Sequence, residues 1–115
     1  MRKEFQAEGR FTSLAPKTES DVVRCLREGR RRIKAGWCKG RLVRQRPNGK
    51  MRYCAIGAIQ ESGFPIAVIR DARTLLQNVL RWKSDWAVEA YNDAPWVTKW
   101  HILALYDRAL VRELA

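Results

Sequence analysis

From Ser20 onward, apolar positions recur with helical spacing: Val22, Leu26, Gly29 and Ile33 stand at i, i+4, i+7 and i+11, and Gly36 closes the run. Thr18-Glu19-Ser20-Asp21 in front offers hydroxyl N-caps and first-turn acids, which satisfy orphaned amides and suit the positive end of a helix. At about 100° per residue, Arg24, Arg27, Arg31 and Lys34 fall opposite the apolar stripe, with Arg30 and Arg32 flanking it. The pattern predicts a helix over about 20–35 with one apolar and one cationic face. Arg41–Arg46 and Lys50–Tyr53 alternate imperfectly around Pro47-Asn48-Gly49 and predict a hairpin of short, exposed strands, because Asn-Gly adopts positive φ at low cost.

Past Cys54, the run Ala-Ile-Gly-Ala-Ile-Gln-Glu-Ser reads as helix up to Gly63. Phe64-Pro65 restarts the chain, and Ala67, Val68, Ala72, Leu75, Leu76, Val79 and Leu80 carry helical spacing to about Trp82, although the β-branched stretch Ile66–Ile69 leaves a strand open there. Ser84-Asp85 predicts the cap of a short helix through Tyr91, broken by Asn92-Asp93-Ala94-Pro95. A last helix to Leu114, capped by Thr98 or Asp93, is apolar almost all round, with His101, Arg108 and Arg112 on one polar strip. That is the pattern of a central buried helix. The expected fold class is mainly α (α+β): a compact helical domain of four to five helices with a small basic β-hairpin over 18–115, behind a flexible arm at 1–17.

Length and composition narrow the class. A chain of 115 residues with 46% hydrophobic residues has enough material for one core and is unlike a disordered tail. No apolar run approaches the ~20 residues of a bilayer span, and the first residues lack the apolar core of a secretory signal. The expected location is the cytoplasm, with no membrane partner. Cys25, Cys38 and Cys54 are odd in number, distant in spacing and accompanied by a single His. Reduced thiols follow, with no metal site and no cofactor expected.

Charge changes the picture most. The net +11 arises wholly within residues 24–52, where Arg24, Arg27, Arg30, Arg31, Arg32, Lys34, Lys39, Arg41, Arg44, Arg46, Lys50 and Arg52 face one acid, Glu28. Both flanks are neutral. Twelve crowded cations repel one another in the folded state, so such a surface belongs beside a polyanion. Nine are Arg, whose planar fork grips phosphate oxygens bidentately and stacks on bases. These twelve are the candidate nucleic-acid-binding residues of a non-enzymatic protein whose expected partner is nucleic acid or a host ribonucleoprotein complex. An adaptor for an acidic protein surface is an alternative.

A second alternative is a Cys-dependent hydrolase or transferase. Cys54 precedes helical amides, Asn92 or Asp93 is available to orient an imidazole, and His101 is the one candidate base. Against it, a free Cys in an A-I-G-A-I setting is most often a small buried hydrophobe. Trp37, Trp82, Trp86, Trp96 and Trp100 read most simply as core, and of the five Trp37 alone, beside Lys39 and Arg41, is placed for stacking on a base.

Three short segments carry a resemblance. Gly36-Trp37-Cys38, Cys54-Ala55-Ile56-Gly57-Ala58 and Tyr91-Asn92-Asp93-Ala94-Pro95, followed by Thr98 and the helix Leu105–Leu110, resemble an uncharacterised family of small phage and bacterial proteins with G-W-C, C-A-[IL]-G-A and [YFW]-N-D-x-P motifs, over about residues 22–112. The resemblance implies a mostly helical fold and a mobile-element origin, and no assigned activity. This chain departs from the pattern in its Arg/Lys density. Small proteins of mobile elements commonly occupy a host complex, so by this analogy the chain is a phage-encoded inhibitor or modulator of host machinery, of anti-CRISPR or other anti-defence type.

Overall fold

The computed structural model describes residues 19–114; the arm expected at 1–17 and the Thr18 cap lie outside the described residues. The described elements are helices α1 (Asp21–Ala35), α2 (Gly57–Gln60), α3 (Ile66–Leu80), α4 (Val88–Asp93) and α5 (Lys99–Leu114), with strands β1 (Val43–Gln45) and β2 (Met51–Tyr53) between α1 and α2. The fold is mainly helical with one small antiparallel hairpin, as the periodicities predict.

Helix α1 begins where Ser20 Oγ accepts the Val23 amide at 3.2 Å, and it ends where the Gly36 N–H reaches the Arg32 carbonyl. Its apolar face, Val23, Cys25, Leu26, Gly29 and Ile33, is buried against α5, α3 and α2. Gly29 lets α1 pack closely on its neighbours, since a Cβ there would stand 2.7 Å from Ile59 and 2.8 Å from Tyr106. Leu26, Ile33, Ile56, Ile59, Leu76, Leu80, Ile102 and Tyr106 are fully enclosed and form the centre of the core. Each such aliphatic side chain contributes about 1.5–3 kcal/mol by leaving water.

The hairpin pairs Val43 with Tyr53, Arg44 with Arg52 and Gln45 with Met51. Beyond the strands the Arg46 amide donates to the Lys50 carbonyl at 2.8 Å, and Gly49 (φ 84°) donates to the Arg46 carbonyl at 2.9 Å. Pro47-Asn48-Gly49 is therefore a three-residue loop closed by a left-handed glycine. A parallel bridge between Trp37 and Tyr53 ties the hairpin to the end of α1, with Cys38 N–H donating to Tyr53 and Tyr53 N–H to Gly36. At its other root, Gly57 lies so close to the Leu42 carbonyl that a Cβ would overlap it. The hairpin is thus held at its base and exposed at its tip.

Several elements differ from expectation for identifiable reasons. The helix expected over 54–63 contracts to α2, bracketed by turns and by Gly63 at φ 85°. Ile66–Ile69 is helical rather than extended. The helix expected from Ser84 starts four residues later, because Gln77 of α3 supplies its cap: Oε1 accepts the Val88 amide at 3.1 Å while Nε2 donates to the Trp86 carbonyl at 2.9 Å. It then runs through Asn92-Asp93, and Ala94-Pro95 breaks it. Helix α5 buries one face only, leaving Trp100 and Val111 exposed. Trp82, Trp86, Trp96 and Trp100 are not core; they are 77%, 48%, 57% and 69% exposed. No described helix is long and apolar enough to cross a membrane.

Candidate nucleic-acid interface

The twelve candidate cations separate into two populations. On α1, every arginine holds a carboxylate. Arg24 pairs with Asp21 at 2.8 Å, Arg27 grips Glu19 through Nε and Nη2, Arg30 reaches Asp107 of α5 at 2.6 Å, and Arg31 and Arg32 share Glu28 at 2.6 and 2.8 Å. The hydrogen bond from Arg31 holds the Glu28 carboxyl below its ordinary range, as Arg27 does for Glu19. Arg32 also donates to the Tyr53 hydroxyl at 3.0 Å and stacks on its ring. Exposed pairs of this kind add little stability, but they lower the charge that α1 presents.

Lys39 is likewise engaged, donating to the Ala94 carbonyl at 2.6 Å above the Trp37 ring. Lys34 is exposed at the end of α1. On the hairpin, Arg41, Arg44, Arg46, Lys50 and Arg52 have no carboxylate partner among the described residues. The register sets Arg44 directly opposite Arg52, and two positions further out, past Gln45 and Met51, Arg46 lies opposite Lys50. Alternation places Arg44 and Arg52 on one face of the ribbon, and Arg46 and Lys50 close the loop beyond the strands. Like charges facing across a strand pair destabilise a hairpin, so the Arg44–Arg52 opposition works against this one.

The two populations meet. A hollow of about 500 Å³ between the end of α1 and β2 is lined by Arg31, Arg32, Ala35, Lys50, Met51 and Tyr53. A second, of about 450 Å³, is lined by Arg24, Arg27, Glu28, Arg31, Ser62 and Phe64, with Arg24 over the Phe64 ring. Arg31 borders both, so the outer face of α1 leads to the hairpin edge at Lys50.

Asn92 organises the ground beneath. It is fully buried, and its Oδ1 accepts from Trp37 Nε1 at 2.7 Å and from the Ala55 amide at 3.0 Å. Its Nδ2 donates to the Cys38 carbonyl at 3.1 Å and to Asp93 Oδ1 at 3.0 Å, while Asp93 also accepts the Gly40 amide at 2.9 Å. One side chain thereby fastens the segments at 36–40, 54–58 and 91–95 to each other. Sequence reasoning places a turn here and reads Trp37 most simply as core, the one tryptophan also placed for stacking on a base; its indole is half-buried against the core and hydrogen-bonded to Asn92.

The thiol site does not assemble. Cys54 is buried, accepts the Gly57 amide at 3.3 Å, and lines a hollow with Gly40, Arg41, Leu42, Glu89 and Asp93. His101 lines a different one, with Nδ1 accepting the Thr98 amide at 2.9 Å. Burial pushes the thiols of Cys25, Cys38 and Cys54 up from their ordinary value, which suppresses the reactive thiolate. Iodoacetamide at neutral pH is expected to leave all three unlabelled in the folded chain and to label them in denaturant; rapid labelling of Cys54 in the fold would restore the catalytic alternative.

Part of the split between helix and hairpin was readable beforehand: Asp21 precedes Arg24 by three residues, Glu28 precedes Arg31 and Arg32 by three and four, and residues 29–60 contain no acid. Comparison with curated proteins and with solved structures yields no match. A family profile matches residues 17–112, and on that match the chain belongs to the family of unknown function DUF6197.

Proposed function

We propose that the chain binds the phosphate backbone of nucleic acid, bare or within a nucleoprotein, through the outer face of its hairpin, and acts by binding without turnover. The observation that carries this reading is the pair of like-charge oppositions, Arg44 with Arg52 and Arg46 with Lys50, a local conflict that a phosphate chain relieves. Four of the five unpaired hairpin cations are Arg, which favours planar, bidentate phosphate contact over a general acidic surface. The α1 arginines border the site and are already occupied by carboxylates. Held against a host nucleoprotein, such a ribbon would block or redirect it, which is the inhibitory role expected of a phage anti-defence protein.

Fluorescence anisotropy with labelled duplex DNA at 50 mM salt tests the location. Converting Arg44, Arg46, Lys50 and Arg52 to Gln is expected to remove most of the affinity, whereas converting Arg24, Arg27 and Arg31 to Gln costs far less. Equal losses from the two variants would contradict the assignment to the hairpin.

A further inference from the structure

Three of the four exposed tryptophans, Trp82, Trp86 and Trp96, line two adjoining hollows. One, of about 240 Å³, is walled by Trp86, Trp96, Tyr91 and His101, with Lys83 and Ser84 also lining it. The other, of about 580 Å³, is formed by Val79, Trp82, Lys83, Asp107, Arg108, Val111 and Arg112. Lys83 lines both. Arg108 also belongs near both: burial pushes the Tyr91 hydroxyl up, and the charge of Arg108 acts against that rise.

Trp96 is a fixed platform. Its ring makes an edge contact with Tyr91 at 5.5 Å and another with His101 at 5.7 Å, yet more than half of it faces solvent. A ring held this way loses little freedom when something stacks on it. The polar equipment suits a nucleotide. His101 Nδ1 accepts the Thr98 amide, which leaves Nε2–H of the neutral ring as a donor. No carboxylate lines the aromatic hollow, and Asp107 beside it is held by Arg30. Lys83, Arg108 and Arg112 have no carboxylate partner among the described residues. Aromatic platforms between unpaired cations are how proteins hold unpaired strands, base on ring and phosphate on cation.

We infer that the Trp86–Trp96 hollow takes the base of an unpaired nucleotide, with its phosphates on Lys83 and Arg108 and the strand continuing toward Trp82. This builds on the nucleic-acid reading but uses a different surface, so the two fail separately. A chain with both surfaces engages duplex backbone and unpaired strand together, as at a junction or a stem with a single-stranded flank.

The test follows intrinsic tryptophan fluorescence and circular dichroism of the full chain with oligothymidylate, a duplex of equal length, and thymidine monophosphate. Oligothymidylate is expected to quench fluorescence. Trp96→Ala should weaken its binding about five- to 150-fold, and Trp86→Ala, at a ring with fewer contacts, and Lys83→Gln should each weaken it too, all without loss of duplex affinity. Quenching by thymidine monophosphate in the hairpin Gln variant would support the base site independently of the hairpin. Equal loss of duplex and single-strand binding in these folded variants would overturn the inference. So would the absence of quenching by both thymidine ligands.

Discussion

Reversing Arg44 and Arg52 together to Glu is expected to cost the chain at least about a hundredfold in affinity for duplex DNA at 50 mM salt, because two phosphate contacts vanish and two repulsions replace them. The double variant keeps a like-charge opposition at the same register position, so its stability should stay close to that of the parent. The single variant Arg44→Glu separates function from stability more sharply. It sets a carboxylate opposite Arg52 and turns a repulsion into an attraction, about 0.2–1 kcal/mol in the hairpin's favour, while binding weakens. A small rise in Tm with a loss of affinity is the signature of a cation pair kept for a ligand. A drop in Tm for Arg44→Glu would mean that Arg44 serves the fold.

Asn92→Ala should have the largest effect on stability. It removes the acceptor for Trp37 Nε1 and the Ala55 amide and the donor for the Cys38 carbonyl. Orphaning a buried polar group costs about 1–3 kcal/mol, so three of them amount to about 3–9 kcal/mol, a large share of the 5–15 kcal/mol typical of a domain. Thermal unfolding followed by circular dichroism measures it. A loss below about 1 kcal/mol would show that water or a neighbour takes over these bonds and that Asn92 is not what joins the three segments.

The contrast between these two sites marks what a linear reading reaches. Helix α1 was legible because its stripe, Ser20 cap and Gly36 stop are local features, and the hairpin because Asn48-Gly49 dictates its turn. The start of α4 was not, since its cap is the Gln77 side chain of another helix. Asn92 looked like a turn residue because Asn usually is one; its four partners lie in three segments that only the fold assembles. The tryptophans were assigned to the core by size, but Ile, Leu and Tyr side chains fill that space and push four indoles outward. Charge was legible as a total and only partly as a distribution: Asp107 is 77 residues from the Arg30 it holds.

That distribution decides what the protein presents to a partner. A count of twelve suggests a broad cationic field, whereas the fold pairs every α1 arginine with a carboxylate and leaves the hairpin cations without one among the described residues. The Gly57–Leu42 contact and the Trp37–Tyr53 bridge fix the base of the hairpin, so the ribbon is held in place by the fold itself.

The salt dependence of binding tests this most directly. Five hairpin cations on duplex phosphates give a slope of about −4.5 in log K against log salt, a loss of about 500-fold between 50 and 200 mM. With Arg44, Arg46, Lys50 and Arg52 all changed to Gln, the slope should fall to about −1. A shallow slope in the parent, or an unchanged slope in the variant, would contradict the account.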